Sequence, residues 1–231
     1  MFNNYYIRID FSKNAKLSYY IRNILGLLIP SYFYQKRVTS YALDAAGEKL
    51  QKRVDYYNKL TETFRPSNTL KTIKAFKKEK KKTYFFDLYE YLRYFPNHLR
   101  VSYLFGDITT IPDTPTIVKS RPISGDNQNS ILMKLNKVRH FIFVEDKIAF
   151  KDKKNLLVWR GKAHMPHRQA FVQRYHDNPH CDIGETKKNR DPNIAWQKPK
   201  MRINEQLQYK FILSIEGNDV ASNLKWVMSS N

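Results

Sequence analysis

The sequence predicts an α/β protein, because short apolar strands alternate with turns and helices along its second half. Residues 156–159 form a candidate strand that runs directly into an Arg-Gly pair, and a helix follows from Pro166, a residue suited to the first turn of a helix. Residues 207–215 form a second, strongly apolar strand, followed by a polar turn and an apolar helical stripe. Two strand–turn–helix units of this kind indicate a parallel sheet.

The first half of the chain predicts helices and two short strands. Residues 12–62 are mostly helical, with a break at Pro30, and residues 85–95 form a helix that Pro96 ends. Apolar and polar residues alternate over 99–105 as in a half-buried strand. Residues 116–118 predict a further short strand, whereas 123–130 and 184–204 are rich in loop residues.

A change in composition predicts two domains. Residues 140–144 form a strand candidate, and a charged stretch at 145–155 follows it. We therefore expect one domain over residues 1–150, with a helical N-terminal region, and another over residues 151–231.

Charge points to an anionic partner. The 231 residues include 41 Lys and Arg against 21 Asp and Glu, a net charge of +20. The two halves of the chain carry this positive excess about equally. Because the net charge is positive, the partner could be nucleic acid, an anionic membrane surface or a phosphorylated substrate. With 42% hydrophobic and 14% aromatic residues, the chain is not disordered. A single cysteine, Cys181, excludes a disulfide scaffold.

Two segments could touch a membrane surface, although none is predicted to cross one. The most apolar stretch, residues 21–29, is too short to span a bilayer, and the N-terminus lacks the pattern of a signal peptide. The chain is therefore expected to be soluble and cytoplasmic. Apolar residues over 16–36 lie on one helical stripe, which suits either a core-facing or an interfacial helix. A lysine cluster at 71–82 suits a solvated surface, anionic lipid or nucleic acid.

Basic residues gather at the turn after the first strand of the second half. Arg160 and Lys162 lie in this turn, and Arg168 lies one turn into the following helix. Ligands of open α/β sheets bind beyond the carboxyl ends of the strands, where a helix N-terminus favours phosphate and arginine can bind it through two hydrogen bonds. The second turn, at 215–220, is the equivalent position on the next strand. A phosphate site is one interpretation, and an ordinary polar turn is the other.

A carboxylate and a group of histidines are the other candidates for chemistry. Asp107 follows a strand candidate and a glycine, so it is either a turn residue or a side chain that faces a cleft. A zinc site would draw on four histidines and one cysteine, but no zinc-binding motif joins them: His164, His167, His176, His180 and Cys181. Serine-hydrolase, Walker and dinucleotide-binding motifs are missing from the sequence as well.

Three runs of sequence resemble the family 90 glycosyltransferases, which include bacterial lipopolysaccharide core glycosyltransferases and eukaryotic protein O-glucosyltransferases. The resemblance covers roughly residues 80–231 and is closer to the bacterial branch. It is carried by Pro115-Thr-Ile-Val-Lys-Ser-Arg-Pro-Ile123, by Leu157-Val-Trp-Arg-Gly161 with Arg168, and by the run from Tyr209 to Trp226.

This resemblance implies a GT-B-like fold, with two Rossmann-like domains facing a cleft. It implies inverting, metal-independent transfer of a hexose from a nucleotide-sugar, expected to be a UDP-sugar, to a lipopolysaccharide core or related glycan, without a cofactor. A glycosyltransferase of this kind needs no nucleic-acid partner, and the basic segments leave peripheral contact with the anionic inner face of the inner membrane open. Family members continue past residue 231, so the donor domain over 151–231 is expected to be truncated.

The resemblance also implies roles for individual residues. Asp107 falls on the segment that provides the catalytic aspartate, the base that one-step inversion requires. The donor diphosphate motif covers Arg160, Gly161, Lys162 and Arg168. A second donor-contact turn covers Glu216, Gly217, Asn218 and Asn223, where Glu216 and Asn223 depart from the eukaryotic pattern. A run that lines the cleft, without an assigned role, covers Lys119, Ser120 and Arg121.

Two other functions remain open from the residues alone. A basic module that binds nucleic acid would explain the charge and the interleaved aromatic residues, although no RNA-recognition motif is present. A phosphotransferase acting on core sugars would use the same basic turn for its nucleotide, although a glycine-rich phosphate loop is missing.

Overall fold

We describe a computed structural model of the chain over residues 15–38, 47–78 and 82–231. The chain divides into two compact units, Lys16–Arg139 and His140–Asn231. This division lies between residues 139 and 140, while the sequence places its domain boundary after residue 150. Within the described ranges, every helix is too short or too polar to cross a membrane.

Helices dominate the Lys16–Arg139 unit. Its helices are α1 (Ala15–Leu27), α2 (Ser31–Val38), α3 (Glu48–Tyr57), α4 (Lys82–Leu92) and α5 (Lys137–His140), the last of which ends at the division between the units. The predicted break at Pro30 is confirmed, because α1 ends just before it and α2 begins just after it. Proline interrupts helices because it has no N–H to donate and its ring clashes with the preceding turn.

Aromatic side chains from α4 and the segments beside it form the core of this unit. Phe76 stacks on Phe85, and the ring of Tyr103 packs edge-on against Phe76 at 5.0 Å between centroids. Leu88 on α4 is completely buried beneath them. Aromatic packing of this kind contributes about 0.5–1.5 kcal/mol per pair beyond the burial of area.

Three short parallel segments lie beside this core. Strands β1 (Thr116–Val118) and β2 (Ser130–Leu132) pair in parallel, with Ile117 opposite Ile131. The prediction of a strand over 99–105 is wrong, because this segment makes only isolated bridges, one of them between Tyr103 and Ile117. Its neighbours are too short to extend the ladder, since β1 has only three residues.

One helical contact in this unit involves a buried carboxylate. Asp87 on α4 is fully buried, and its Oδ1 accepts a hydrogen bond from the Tyr19 hydroxyl at 2.8 Å. Its Oδ2 accepts one from the Lys137 backbone N–H at 2.7 Å. Burial raises the pKa of Asp87 to about 6, although both hydrogen bonds act in the opposite direction. Burial, together with the contact with Asp87, raises the pKa of Tyr19.

The raised pKa of Asp87 predicts a pH-dependent loss of stability. The folded state holds the Asp87 proton up to about pH 6, whereas the unfolded chain releases it near pH 4. Asp87 therefore stabilises the fold most below pH 4, and we expect about 2–3 kcal/mol of this stability to be lost as the pH rises to 7. Urea unfolding followed by circular dichroism would measure it as a difference between wild type and Asp87→Asn. Glu62→Gln, at an exposed site, is the control; a parallel pH dependence in wild type and Asp87→Asn would contradict the prediction.

The His140–Asn231 unit contains a parallel sheet of three strands. Its elements are β3 (Lys154–Gly161), α6 (Pro166–Tyr175), β4 (Cys181–Glu185), α7 (Ile203–Gln206), β5 (Tyr209–Ile212) and α8 (Leu224–Val227). The strand order is β4-β3-β5, with Val158 opposite both Asp182 and Ile212. The α/β prediction is confirmed by these parallel strands and their helical connections.

Two details of this unit differ from the sequence predictions. Residues 140–144 were expected to form a strand, but His140 ends α5 and no regular strand follows it before β3. Strand β4 lies partly in a region that was expected to be a loop, and its alternating polar residues explain why its pattern is weak. The helix predicted from Pro166 to about residue 176 is confirmed as α6.

Candidate active site

The chain passes from β3 to β4 on one side of the sheet and then crosses to β5 on the other side of β3. The carboxyl ends of β3 and β5 therefore form a topological switch point. Open α/β sheets bind their ligands at such points. The turn after β3 leads to α6, whose first residue is Pro166 and whose N-cap, Met165, makes no side-chain capping bond. From Trp159 to His176 the chain carries no acidic residue. The turn after β3 and the helix α6 therefore carry only basic charged side chains.

Arg168 joins the turns that follow β3 and β5. Its Nε donates to the Glu216 carbonyl at 2.8 Å and its Nη2 to the Ile215 carbonyl at 2.6 Å. Its Nη1 donates to the Lys162 carbonyl at 3.2 Å. Arginine suits this position because its planar guanidinium presents five donors in fixed directions. The structure thus brings together Lys162, Arg168 and Glu216, which the sequence places in two separate turns.

Two glycines allow the backbone to approach this junction closely. A Cβ atom at Gly217 would lie 3.4 Å from Nη2 of Arg168. At Gly161 it would lie 2.6 Å from Cζ2 of Trp159, closer than any side chain tolerates. The Trp159 ring in turn lies 6.0 Å from the guanidinium carbon of Arg168. Both predicted glycines therefore border the Arg168 junction.

The remaining residues of the second turn have separate positions. Glu216 uses its carbonyl, which also accepts a hydrogen bond from Nε2 of His167 at 3.0 Å, while its side chain is exposed. Asn223 precedes α8, and its Nδ2 donates to the Leu213 carbonyl at 3.0 Å, so it closes the turn from the other side. Asn218 is exposed at the tip.

Arg160 lies in a different network from Arg168. Its Nη2 donates to Oδ1 of Asp182 at 2.7 Å, its Nη1 to the Asp182 carbonyl at 2.7 Å, and its Nε to the Pro199 carbonyl at 3.2 Å. Asp182 also accepts from Lys198 at 3.0 Å and from the Tyr209 hydroxyl at 2.8 Å. Only 8% of the Arg160 side chain is exposed. Asp182 on β4 thus connects Arg160 on β3 to Tyr209 on β5.

Asp182 was not predicted as part of the site. Burial alone would raise the pKa of Asp182, but hydrogen bonds from Arg160, Tyr209 and Lys198 lower it to about 2. Burial and the contact with Asp182 raise the pKa of Tyr209 to about 12. The sequence signal that could have revealed Asp182 is the alternation Asp182-Ile183-Gly184-Glu185, which places Asp182 and Gly184 on one face of a strand.

We expect Asp182→Asn to destabilise the His140–Asn231 unit by about 3 kcal/mol at pH 7, because it leaves the buried Arg160 without its anion. Since the folded-state pKa is depressed, this stabilisation is present above about pH 4 and is lost as the pH falls toward 2. Tryptophan fluorescence during urea unfolding reports on this unit, which contains Trp159. The exposed Asp177 provides the matched control, Asp177→Asn. Equal stability of the two variants would contradict the prediction.

The second candidate group lies in the Lys16–Arg139 unit, at the carboxyl ends of neighbouring parallel segments. Asp107 follows the 102–104 segment, and Lys119 follows β1, which is bonded to it through the Leu104 N–H and the Ile117 carbonyl. Gly106 has a φ of 127°, a backbone conformation that favours glycine and turns the chain just before Asp107. The Lys119 Nζ donates to Oδ1 of Asp107 at 2.6 Å.

In this ion pair, a buried cation holds a carboxylate that lies at the surface. The Lys119 side chain is 5% exposed, whereas that of Asp107 is 36% exposed. A carboxylate can accept a proton, as a general base must. The geometry therefore fits a general base whose carboxylate is open to solvent and is held in one orientation by the buried Lys119.

The other residues predicted to line the cleft contact the unit itself. Arg121 donates from Nη1 to the Ser130 carbonyl at 3.1 Å and from Nη2 to the Tyr56 carbonyl at 2.5 Å. Its guanidinium also lies over the Tyr56 ring, 5.3 Å from the centroid. Ser120, between it and Lys119, is half-buried. Arg121 thus joins β2 to the end of α3, while Lys119 faces Asp107.

The histidines of the zinc alternative have other contacts. His167 bonds to the Glu216 carbonyl, and the His176 ring packs edge-on against Trp196 at 5.7 Å. In the part of the chain that the structure describes, no three His, Cys, Asp or Glu side chains form a group that could hold a metal ion.

Comparison with known proteins identifies a relative with an assigned activity. The chain is 42% identical to the O-glucosyltransferase LpsA of Dichelobacter nodosus over 222 residues, which cover 94% of this chain and 70% of the relative. No protein-family profile matches the chain. No solved structure matches it either.

Proposed function

The chain belongs to the glycosyltransferase family that includes the O-glucosyltransferase LpsA of Dichelobacter nodosus, and we propose that it transfers a hexose from a nucleotide-sugar to a glycan. In this proposal the donor is a UDP-sugar, with glucose the first sugar to test, and the acceptor is a lipopolysaccharide core or related oligosaccharide. The proposal also includes three further points: the chain is of the family 90 type, it has the GT-B arrangement, and it is located in the cytoplasm.

The junction at Arg168 is the observation that carries the proposal. Its guanidinium fixes two turns at a switch point of a parallel sheet, beside the N-terminus of α6 and the exposed Lys162. Amide N–H groups at a helix start together with fixed cations stabilise negative charge on a leaving diphosphate. We assign donor binding to this junction, with Gly161 and Gly217 allowing Trp159 and Arg168 to pack closely against the two turns, and Asn218 and Asn223 shaping the second turn.

Arg160 contributes to this site indirectly in the proposed mechanism. Its guanidinium is almost fully buried and donates to the Asp182 carboxylate and to three carbonyl groups, those of Trp159, Asp182 and Pro199. We therefore propose that it sets the position of the β3 end, from which Gly161 and Lys162 reach the donor. For Arg160, this positioning role is therefore to be tested before direct contact with the diphosphate.

Asp107 is the proposed general base. An acceptor hydroxyl gives its proton to the Asp107 carboxylate while its oxygen attacks the anomeric carbon of the donor sugar. The bond from that carbon to the diphosphate oxygen breaks, and the nucleoside diphosphate leaves with the electron pair. One displacement of this kind inverts the anomeric configuration, and no step in it requires a metal ion. Lys119 holds the base in place.

Ligand binding separates this proposal from the phosphotransferase alternative. Thermal shifts of the whole chain would be measured with UDP-glucose, UDP-galactose, UDP alone and ATP with Mg²⁺. We expect stabilisation by the UDP ligands, and transfer of labelled hexose from the best of them to lipopolysaccharide core oligosaccharide. Stabilisation by ATP with Mg²⁺ and not by any UDP ligand would overturn the proposal.

A further inference from the structure

Helix α1 is apolar on two opposite faces, and only one of them packs within the Lys16–Arg139 unit. On the packed face the Tyr19 ring is buried against Phe86 on α4, with 6.5 Å between centroids. The Gly26 carbonyl accepts a hydrogen bond from Arg93 at 3.3 Å, and a Cβ at Gly26 would meet the same guanidinium. Tyr20, beside Tyr19, also packs edge-on against Phe86, with 6.1 Å between centroids.

The opposite face carries large aliphatic side chains in contact with solvent. We call it the outer stripe; it consists of Leu17, Ile21, Ile24 and Leu25 on α1, together with Leu28 just after the helix ends. At 100° per residue the four positions on α1 fall within about 100° of helix circumference. Between 48% and 76% of each residue is exposed. Tyr32 and Phe33 at the start of α2 are exposed to a similar degree and continue the apolar surface beyond Pro30.

Charge around the outer stripe has a single sign. The α1–α2 segment from Ala15 to Val38 contains four basic residues and no acidic one. Lys16 lies at its beginning and Lys36 near its end, and the Lys36 ammonium lies over the Tyr32 ring at 4.5 Å from the centroid. Aliphatic residues on one face, aromatic residues with polar tips and flanking cations are the features of helices that lie in a membrane interface.

We propose that α1 and the start of α2 dock on the surface of an anionic lipid bilayer, with the outer stripe inserted among the acyl chains. The apolar stripe supplies burial, and each nearby Lys or Arg adds attraction to anionic headgroups. A second copy of the chain fits this surface poorly, because each copy has a net charge of +20 and brings the same cations to the contact. The site is distinct from the donor and base residues, so the proposal goes beyond glycosyl transfer and does not depend on it.

Vesicle binding by the full chain tests this proposal. The triple variant Leu17→Gln/Ile21→Gln/Ile24→Gln removes the stripe while keeping good helix formers. A control triple variant, Leu50→Gln/Val54→Gln/Tyr57→Gln, changes exposed apolar residues with the same spacing on α3, a helix that is also rich in cations. With vesicles of phosphatidylcholine and about 30% phosphatidylglycerol, we expect the first variant to lose about tenfold in partitioning and the control to stay within about twofold.

A second measurement detects insertion into the bilayer with a substitution that keeps the outer stripe apolar. Ile24→Trp places a fluorophore in the outer stripe, and brominated lipids should quench it beyond the level seen for the three tryptophans of the wild type. Quenching no greater than in the wild type would overturn the proposal. So would equal vesicle binding by wild type and the α1 variant, an equal loss in the α3 variant, or no wild-type binding. A wild-type dimer that the α1 variant converts to a monomer would instead assign the stripe to self-association.

Discussion

Asp107→Asn is expected to lower the rate of hexose transfer by about 10²–10⁴-fold, because the amide cannot accept the proton of the attacking hydroxyl. Asparagine has nearly the same shape and keeps an oxygen that can accept the hydrogen bond from Lys119, now 2.6 Å from Oδ1. Folding and donor affinity should therefore be preserved. Initial rates with labelled nucleotide-sugar, together with UDP binding by calorimetry, would separate the chemical step from donor binding.

Asp113→Asn is the matched control for this loss. Asp113 is an exposed aspartate a few residues along the same loop. Its backbone carbonyl, not its side chain, accepts the hydrogen bond from Asn129. We expect transfer by this variant to stay within about twofold of the wild type. Asp107→Asn with more than about a tenth of the wild-type rate would remove Asp107 from the role of base.

Lys119 provides a further readout of the same geometry. Because Lys119 is buried and holds the carboxylate, Lys119→Met should lower transfer while leaving donor affinity unchanged. If Lys119 positions the base, Lys119→Arg should restore part of the rate. Equal loss in both variants, accompanied by lower thermal stability, would indicate that Lys119 acts only in the fold.

The sequence predicts the elements that border the proposed donor site because each carries a strong local signal. Pro166 marks the start of α6, and the apolar run at 207–215 marks β5. Strand β4 was missed because it is half polar, with the pattern Cys-Asp-Ile-Gly-Glu. That omission concealed Asp182, whose carboxylate gives Arg160 a partner within the sheet. A basic residue at the end of a strand therefore cannot be assigned to a ligand until the neighbouring strand is known.

The same reasoning explains what could be predicted for Asp107 and α1. The sequence shows which element Asp107 follows. Its pairing with Lys119, 12 residues later, depends on two segments that lie side by side in parallel. For α1, the periodicity of apolar residues left core-facing and interfacial helices open. Tyr19 packs against α4, whereas Ile24 on the opposite side is exposed. Periodicity cannot decide between two apolar faces of one helix.

Arg168→Met is expected to lower kcat/KM for the nucleotide-sugar by about 10²–10³-fold, a loss typical of removing one preorganised donor from developing negative charge. The change also removes three hydrogen bonds, to the carbonyls of Glu216, Ile215 and Lys162. The two turns would then separate, and the donor site would lose both its charge and its shape. Steady-state kinetics with varied donor concentration would measure the loss.

Arg168→Lys distinguishes charge from shape, because lysine keeps the cation but cannot donate in three fixed directions. If the junction works through its geometry, Arg168→Lys should resemble Arg168→Met; if it works through charge, Arg168→Lys should recover most of the rate. Arg174→Met, on the same helix and stacked on Tyr175 at 5.6 Å, is the matched control and should change kcat/KM by less than about twofold. Near-normal kinetics for Arg168→Met would place donor binding elsewhere.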